Sequence, residues 1–315
     1  MQGNLPRVAD APAPAEAEPT PPWMATDATW RTVSWAAQTS VAQVGTDRLN
    51  YVDLGTGDLP VLFLHGLGGN WTAWLENLHA TAREHRVVAV DLPGFGKSRP
   101  SSDGTSIPGY ARTIERFCDT VGLDRFILVG SSLGGWVAAE LAMRIPSRVH
   151  AMVLVDAAGM VPTWLERTKA VNMMRGAALG APYAPRFRHT IAARPRLRDM
   201  ALKYTVAEPS KLAADLVYMA LPEAPDPGFV PAFTACRRSW SEGWCDRLTE
   251  IEFPTLIVWG ERDALLPLRH AREWARRLRG SELKVIKGAG HLPMLERPAE
   301  FNATLLEFLG RVNDR

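Results

Sequence analysis

Ser132 lies at the centre of a Gly-x-Ser-x-Gly pattern that spans residues 130–134. The pattern follows the apolar run Phe126–Val129 and precedes a helical pattern over Trp136–Arg144, so it occupies a strand–turn–helix context. A serine on such a tight turn projects its hydroxyl beside a helix N-terminus, where developing negative charge is favoured. This context predicts that Ser132 is a nucleophile. Ser131 is the neighbouring alternative, but only Ser132 has a glycine two residues away on both sides.

A serine hydroxyl is a weak nucleophile, so it needs a general base and an acid that orients this base. The C-terminal third of the chain offers both groups, in the order serine, acid, histidine. Asp263 follows the buried run Leu256–Trp259, and His291 follows the run Leu283–Ile286 and a glycine-rich turn. We therefore expect Ser132, Asp263 and His291 to form a catalytic triad.

Two other acidic residues are alternatives to Asp263. Asp156 follows the run Met152–Val155 and would also reach the edge of a sheet, and Glu261 lies two residues before Asp263. We favour Asp263 because it lies in the loop that Pro267 closes, where the carboxyl edge of a sheet would place a carboxylate.

Acyl transfer also needs two backbone N–H donors for the oxyanion of the tetrahedral intermediate. Leu133, directly after the serine, would supply one of them. Leu67 would supply the other, because the glycines of its loop, residues 65–70, let the backbone approach a substrate closely. His65 lies at the end of an apolar run, so we expect it to support this loop through hydrogen bonds rather than to act as the base.

The apolar runs that precede these residues predict the strands of a parallel sheet, since they are rich in Val, Ile and Leu on both faces. The predicted strands are Leu49–Leu54, Val61–Leu64, Arg86–Val90, Phe126–Val129, Met152–Val155, Leu256–Trp259 and Leu283–Ile286. Helical patterns lie between them, over Ile107–Val121, Trp136–Arg144, Pro267–Leu278 and Pro298–Val312. This alternation predicts an α/β fold with helices on both faces of the sheet.

The alternation stops over residues 160–249, which are rich in proline and hold five of the ten methionines. We predict that this insertion is a helical cap over a core made of residues 31–159 and 250–315. Residues 1–30 are rich in Pro and Ala and have too few branched apolar side chains to offset the entropy of ordering, which predicts a flexible tail.

With these motifs in this order, the chain resembles the α/β-hydrolase-fold superfamily, and within it the serine hydrolases that carry a helical cap. The matching segments are residues 65–69, 91–98, 130–134, 259–263 and 290–291. The resemblance implies a three-layer fold with a mainly parallel eight-stranded sheet and a cap inserted between strands six and seven. It implies no metal and no organic cofactor. Since serine stands at the nucleophile position, branches that open epoxides or remove halides through an aspartate ester are disfavoured.

The insertion contains apolar side chains that would suit a hydrophobic acyl or aromatic substrate. Those that we expect to line the substrate pocket include Met160, Trp164, Met173, Met219, Phe229 and Phe233. The insertion also carries a basic run over Arg186–Arg198, which reads best as a solvated outer face.

These features favour a carboxylic-ester hydrolase that acts on small to medium apolar substrates through an acyl-enzyme intermediate. One alternative is a carbon–carbon bond hydrolase of a ring-cleavage product, in which arginines of the basic run would hold the substrate's acid group. Another is a hydrolase-fold ligand receptor with little turnover.

Composition excludes several other classes. The net charge of +2 gives no reason to expect a nucleic-acid partner. No stretch approaches 18 apolar residues, and the N-terminus lacks a basic region followed by an apolar run, so we expect neither a membrane span nor a signal peptide. Three sparse cysteines do not look like a disulfide framework, which favours a cytoplasmic setting. The partner that the site motifs predict is a small-molecule ester. The oligomeric state is left open.

Overall fold

The computed structural model describes residues 28–169, 171–172, 184–223 and 226–313. Within these ranges, eight strands form one sheet in the order β1-β2-β4-β3-β5-β6-β7-β8. The strands are β1 Thr39–Val44, β2 Asp47–Leu54, β3 Val61–Leu64, β4 Val87–Val90, β5 Phe126–Ser131, β6 Val149–Val155, β7 Thr255–Gly260 and β8 Glu282–Ile286. Strand β2 runs antiparallel to β1 and β4, and the other neighbouring pairs are parallel. The predicted mainly parallel eight-stranded sheet is confirmed.

Strand β1 is the element that the apolar runs did not predict. Its residues alternate between exposed and buried positions, because it lies at the edge of the sheet and pairs only with β2. Such a strand has no continuous apolar run, unlike the central strands, which are buried on both faces. The seven predicted strands are all present, and half of their ends differ from the predicted ones by one to three residues.

Helices flank the sheet and fill the insertion. They are α1 Trp35–Gln38, α2 Leu75–Thr81, α3 Ile107–Thr120, α4 Leu133–Arg144, α5 Ala184–Ala193, α6 Pro195–Leu202, α7 Ala214–Ala220, α8 Phe229–Ser239, α9 Glu242–Asp246, α10 Arg269–Arg277, α11 Pro293–Glu296 and α12 Pro298–Asn313. The described residues between β6 and β7 contain helices and turns but no strand, as the sequence predicts. None of the described helices is long and apolar enough to cross a membrane.

Alternate residues of the central strands enter two hydrophobic cores on opposite faces of the sheet. Leu62 and Leu64 of β3 pack in the core that includes α3 and α4. Val61 and Phe63 of the same strand pack in the core that includes α2 and α12. Each such side chain contributes about 1.5–3 kcal/mol when fully buried. The sheet is thereby held rigidly between two layers of helices, and its carboxyl edge can position side chains accurately.

The last residues of the predicted tail belong to the fold. The Trp30 side chain is 5% exposed, and its Nε1 donates a hydrogen bond to Glu76 at 2.9 Å. Arg31 forms an ion pair with Asp215 of the insertion. Residues 1–27, where the rest of the predicted tail lies, fall outside the described residues.

Hydrogen bonds connect the insertion to the loop that follows β4. The Gly228 N–H donates to the Gly94 carbonyl oxygen at 2.9 Å, and the Gly96 N–H donates to Asp226 Oδ1 at 3.0 Å. The pKa of Asp226 is raised to about 6, because burial raises it more than the Gly96 N–H lowers it and nearby Asp91 adds a smaller increase. The docked carboxylate is therefore less stable than the same group in water.

We expect Asp226→Asn to stabilise the protein at high pH. The folded state binds the Asp226 proton more tightly than the unfolded state, so wild-type stability falls as pH rises from about 4 to 6 and stays reduced above that range. Asparagine keeps the acceptor for Gly96 without a charge. After allowance for solvent screening, the gain at pH 8 should be on the order of 1 kcal/mol. Thermal unfolding at pH 4 and pH 8 measures it, with exposed Asp58→Asn as the control. An equal gain at both pH values would contradict this explanation.

Candidate active site

The turn that carries Ser132 is strained. Strand β5 ends at Ser131, helix α4 begins at Leu133, and Ser132 between them has φ 53° and ψ −116°. Left-handed backbone is costly for a residue with a side chain and is retained mainly where function requires it. The flanking glycines are required by packing, because a Cβ at Gly130 would collide with the backbone of Gly134. The structure thus contains the predicted strand–turn–helix unit.

The glycine-rich loop after β3 lies directly beside this turn. A Cβ placed on Gly66 would lie 3.0 Å from the Cβ of Ser132. Leu133 is the first residue of α4, so its N–H has no acceptor within the helix. The N–H of Leu67, in the loop itself, forms no hydrogen bond with the described part of the chain. Of the two predicted oxyanion donors, Leu133 is therefore next to Ser132 in the chain, and Leu67 is in the adjoining loop.

His65 supports this loop, as predicted. Its Nε2 accepts a hydrogen bond from the Leu92 N–H at 2.8 Å, and its Nδ1 lies 2.7 Å from the Gly66 carbonyl oxygen. Since Nε2 is an acceptor, the ring proton is on Nδ1 and is donated to Gly66. Burial lowers the pKa of His65, which keeps the ring neutral. With both nitrogens engaged, His65 is not available as a general base.

Asp263 and His291 are in direct contact. The His291 Nδ1 lies 2.7 Å from Asp263 Oδ2, and both residues are buried. Asp263 Oδ1 accepts the N–H groups of Leu265 at 2.8 Å and Leu266 at 3.0 Å, which fix the carboxylate in its loop. A carboxylate bonded to Nδ1 holds the ring in the tautomer whose Nε2 can accept a proton.

The carboxyl ends of β5, β7 and β8 lead to Ser132, Asp263 and His291, so the three residues share one edge of the sheet. The Ser132 hydroxyl forms no hydrogen bond among the residues that the structure describes. A nucleophile–base contact of this kind often tightens only in the complex with substrate. The acid–base pair is therefore formed in the free protein, and the serine lies at the same edge.

The loop that carries His291 is tied to the insertion. The His291 N–H donates to the Thr205 carbonyl oxygen at 2.9 Å. The buried carboxylate of Glu296 accepts the N–H groups of Gly290 at 2.9 Å and Ala207 at 2.8 Å. Burial raises the pKa of Glu296, against these N–H donors. Glu296 was not predicted as a site residue; its one signal in the sequence is an acid that directly follows the apolar run 292–295, five residues after His291.

We expect Glu296→Ala to lower both stability and turnover. The variant leaves the buried N–H group of Gly290 without its acceptor, at a cost of about 1–3 kcal/mol, and the part-buried N–H group of Ala207 loses the same partner. Because Gly290 precedes His291, the base should also lose its fixed position. Thermal unfolding and kcat measure the two effects, and exposed Glu252→Ala is the control. A variant with wild-type kcat would show that this clamp does not position His291.

Asp156 joins the same cluster. One oxygen each of Asp156 and Asp263 and one ring nitrogen of His291 lie within 4.8 Å of one another. Asp263 already accepts three hydrogen bonds, and Asp156 Oδ1 accepts the Gly260 N–H at 2.9 Å. A zinc-type site needs at least three donor atoms free to bind. This donor set therefore fits a hydrogen-bonded cluster better than a metal centre.

The pocket residues predicted in the insertion have different environments. Met160 is buried, and Met219 and Phe233 are half-buried. Trp164 is 78% exposed, so the structure does not support it as a wall of an enclosed pocket. The Trp164 side chain faces solvent and is not packed against the rest of the protein. Met173 lies outside the described residues.

Phe229 is an aromatic side chain of the insertion that packs close to the site. A Cβ on Gly68 would lie 3.0 Å from the Phe229 ring. The ring thus packs on the glycine-rich loop that holds Leu67. A larger residue at position 68 would displace either the ring or the loop.

The chain belongs to the alpha/beta hydrolase family, whose model matches residues 61–304. A dihydrolipoyllysine-residue acetyltransferase component of an acetoin cleaving system from Cupriavidus necator is 32% identical over 87% of this chain and 70% of that protein. A 2-hydroxy-6-oxononadienedioate/2-hydroxy-6-oxononatrienedioate hydrolase from Paraburkholderia phymatum is 29% identical over 86% of this chain and 94% of its own length.

A solved structure gives a similar result. A thermophilic esterase from Thermogutta terrifontis has a TM-score of 0.70 and 25% identity, and the match covers 87% of this chain and 99% of that chain. Family and relatives together identify the protein as a hydrolase. Since the relatives include both an esterase and a carbon–carbon bond hydrolase, they do not fix the bond that is cleaved.

Proposed function

We propose that the protein is a serine hydrolase that cleaves carboxylic esters of small to medium apolar substrates through an acyl-enzyme intermediate. The observation that carries this proposal is the 2.7 Å contact between His291 Nδ1 and Asp263, at the sheet edge that also holds the strained Ser132 turn. A nucleophile, a base and an orienting acid are the groups that acyl transfer needs.

In this mechanism His291 Nε2 takes the proton of the Ser132 hydroxyl as Ser132 Oγ attacks the ester carbonyl carbon. Asp263 stabilises the imidazolium that forms. The imidazolium then protonates the leaving alcohol as the carbon–oxygen bond breaks, which leaves an acyl group on Ser132. Water activated by the same histidine attacks this acyl group and releases the acid.

The negative charge that develops on the carbonyl oxygen would be stabilised by the N–H groups of Leu67 and Leu133. Neither group has an acceptor within a helix or strand, and the start of α4 adds its helix dipole. The hydrogen bonds of His65 tie the loop of Leu67 to Leu92, and Gly66 of this loop packs beside Ser132. This part of the site is therefore ordered before substrate binds, which is what efficient oxyanion stabilisation requires.

We further propose that residues 160–249 form a cap over a core of residues 31–159 and 250–315, and that the substrate binds between the two. Candidate walls of this pocket are Met160, Met219, Phe229 and Phe233. Their apolar character favours an apolar acyl or alcohol group.

The contacts of the arginines in the insertion favour an ester over a ring-cleavage product as the substrate. The Arg188 guanidinium already bonds the Tyr218 carbonyl oxygen and pairs with Glu223. The Arg198 guanidinium is buried and donates to the Ala192 and Ser210 carbonyl oxygens. These two cations therefore stabilise the insertion itself, which leaves the exposed members of the basic run as candidates to hold a substrate acid.

A panel of p-nitrophenyl esters of increasing acyl length, assayed beside a vinylogous diketone acid from aromatic-ring cleavage, tests the proposal. We expect kcat/KM to be highest for a short or medium acyl chain and the ring-cleavage product to react slowly. A clear preference for the ring-cleavage product would contradict ester specificity. A single stoichiometric burst without steady turnover would instead indicate a receptor.

A further inference from the structure

Asp156 is the second residue other than glycine that has left-handed backbone among the described residues; its φ is 42°. It directly follows β6, and its N–H donates to the Val258 carbonyl oxygen of β7 at 3.0 Å. Its Oδ1 accepts the Gly260 N–H at the end of the same strand, at 2.9 Å. The backbone strain and the two bonds to β7 aim this carboxyl group at the Asp263–His291 pair.

The remaining oxygen of this carboxyl group, Asp156 Oδ2, is buried and accepts no hydrogen bond. Such an atom is costly if it is a charged acceptor. It is satisfied if it carries a proton and donates to a neighbouring acceptor. The carboxylate of Asp263 is the neighbouring acceptor: one oxygen of each side chain lies within 4.8 Å of the other, and a side-chain hydrogen bond to Asp263 is among the causes that raise the pKa of Asp156.

Two buried carboxyl groups this close do not both ionise readily, so one of them holds the proton. Asp263 accepts two backbone N–H groups and His291 Nδ1, and three donors favour its charged form. Asp156 accepts one N–H group. The difference in donors puts the proton on Asp156.

We propose that Asp156 is a permanently protonated carboxylic acid whose Oδ2–H donates a hydrogen bond to Asp263 and thereby positions the acid of the triad against His291. This role rests on the proposed function of Asp263 and His291. Asp156 is a positioning residue, because it acts on the reacting atoms through these two residues.

The surrounding charges agree with this assignment. Burial raises the pKa of Asp156 well above its ordinary value, and Asp263 and Glu296 raise it further. His270 of α10 also faces Asp263, but burial lowers the pKa of this histidine to about 4, so it offers no positive charge. His291 is already bonded to Asp263. No cation therefore faces Asp156 from the described elements around it.

Two substitutions separate the hydrogen bond from the charge. Asp156→Asn keeps an N–H donor for Asp263 and an acceptor for Gly260, and we expect it to retain most of the wild-type kcat. Asp156→Leu has a similar volume but no donor. We expect it to lower kcat by about 10- to 100-fold, the effect of losing one hydrogen bond to a charged group.

The pH profile of kcat/KM tests the protonation state. If Asp156 is neutral, Asp156→Asn replaces one neutral group by another, and the acidic limb, which reports protonation of the base, stays in place. If Asp156 is charged, the variant removes a negative charge from beside His291, and the limb moves to lower pH. A moved limb would overturn the proposal.

An infrared readout does not depend on turnover. With ¹³C-labelled aspartate, the spectrum of wild type minus Asp156→Asn should contain the C=O band of a protonated acid, whereas exposed Asp58→Asn should remove only carboxylate bands. If the Asp156 difference contains only carboxylate bands, the proposal is wrong. If the acid band is present but no ester is hydrolysed, the proton assignment stands and the proposed function fails.

Discussion

Ser132→Ala should abolish ester hydrolysis, with a loss of kcat on the order of 10⁴-fold or more. The variant removes the one atom that attacks the carbonyl carbon, and water would have to attack in its place. The backbone of the turn is held by Gly130 and Gly134, so the fold should persist. Steady-state kinetics and thermal unfolding of the purified variant measure the two effects.

Ser131→Ala is the matched control for this prediction. Ser131 is the adjacent hydroxyl, but it is fully buried and its Oγ has no hydrogen-bond partner. Its removal should leave kcat near the wild-type value and should not reduce stability, because an unsatisfied buried polar atom is lost. Loss of activity in Ser131→Ala together with normal turnover in Ser132→Ala would move the nucleophile to position 131.

Asp263→Asn should lower kcat by about 10⁴-fold, the loss known for the triad acid of a serine protease. An amide placed against His291 Nδ1 favours the wrong tautomer, so that Nε2 carries the proton and cannot act as the base. Asparagine keeps an acceptor for the N–H groups of Leu265 and Leu266. The expected change in stability is therefore small compared with the change in rate.

The contrast with Asp156→Asn makes this result specific. Both residues are buried acids of one cluster, and both substitutions replace a carboxyl group by an amide. If Asp263 orients the base, its variant loses far more activity than the Asp156 variant. The reverse order, measured with the same ester at the same pH, would assign the triad acid to Asp156.

The sequence predicts those features that depend on short segments. The apolar runs predict the central strands, because strands buried on both faces must be continuously apolar. The site residues lie in the turns and loops just after the ends of these strands, so Ser132, Asp263 and His291 could be expected at one edge of the sheet. Strand β1 was missed because an edge strand needs only one apolar face.

Features that depend on contacts between distant segments were not predictable. Glu296 bonds the backbone of Ala207, 89 positions away in the chain, and nothing in either segment indicates this pairing. The sequence left Asp156 as an alternative for the triad acid. In the structure Asp263 bonds His291, and Asp156 lies beside this pair. In the insertion, Met160 is buried and Trp164 is exposed, although both side chains are apolar. Residue type alone does not say which face of a helix will be covered.

Trapping of the acyl-enzyme tests the central claim most directly. A p-nitrophenyl ester is mixed with the protein, the reaction is quenched during the pre-steady-state burst, and the intact mass and peptide masses are measured. We predict one acyl group per protein molecule, attached to the peptide that contains Ser132, and no adduct on Ser132→Ala. Hydrolysis with a burst whose acyl group lies on another residue, or the same adduct on Ser132→Ala, would contradict the account.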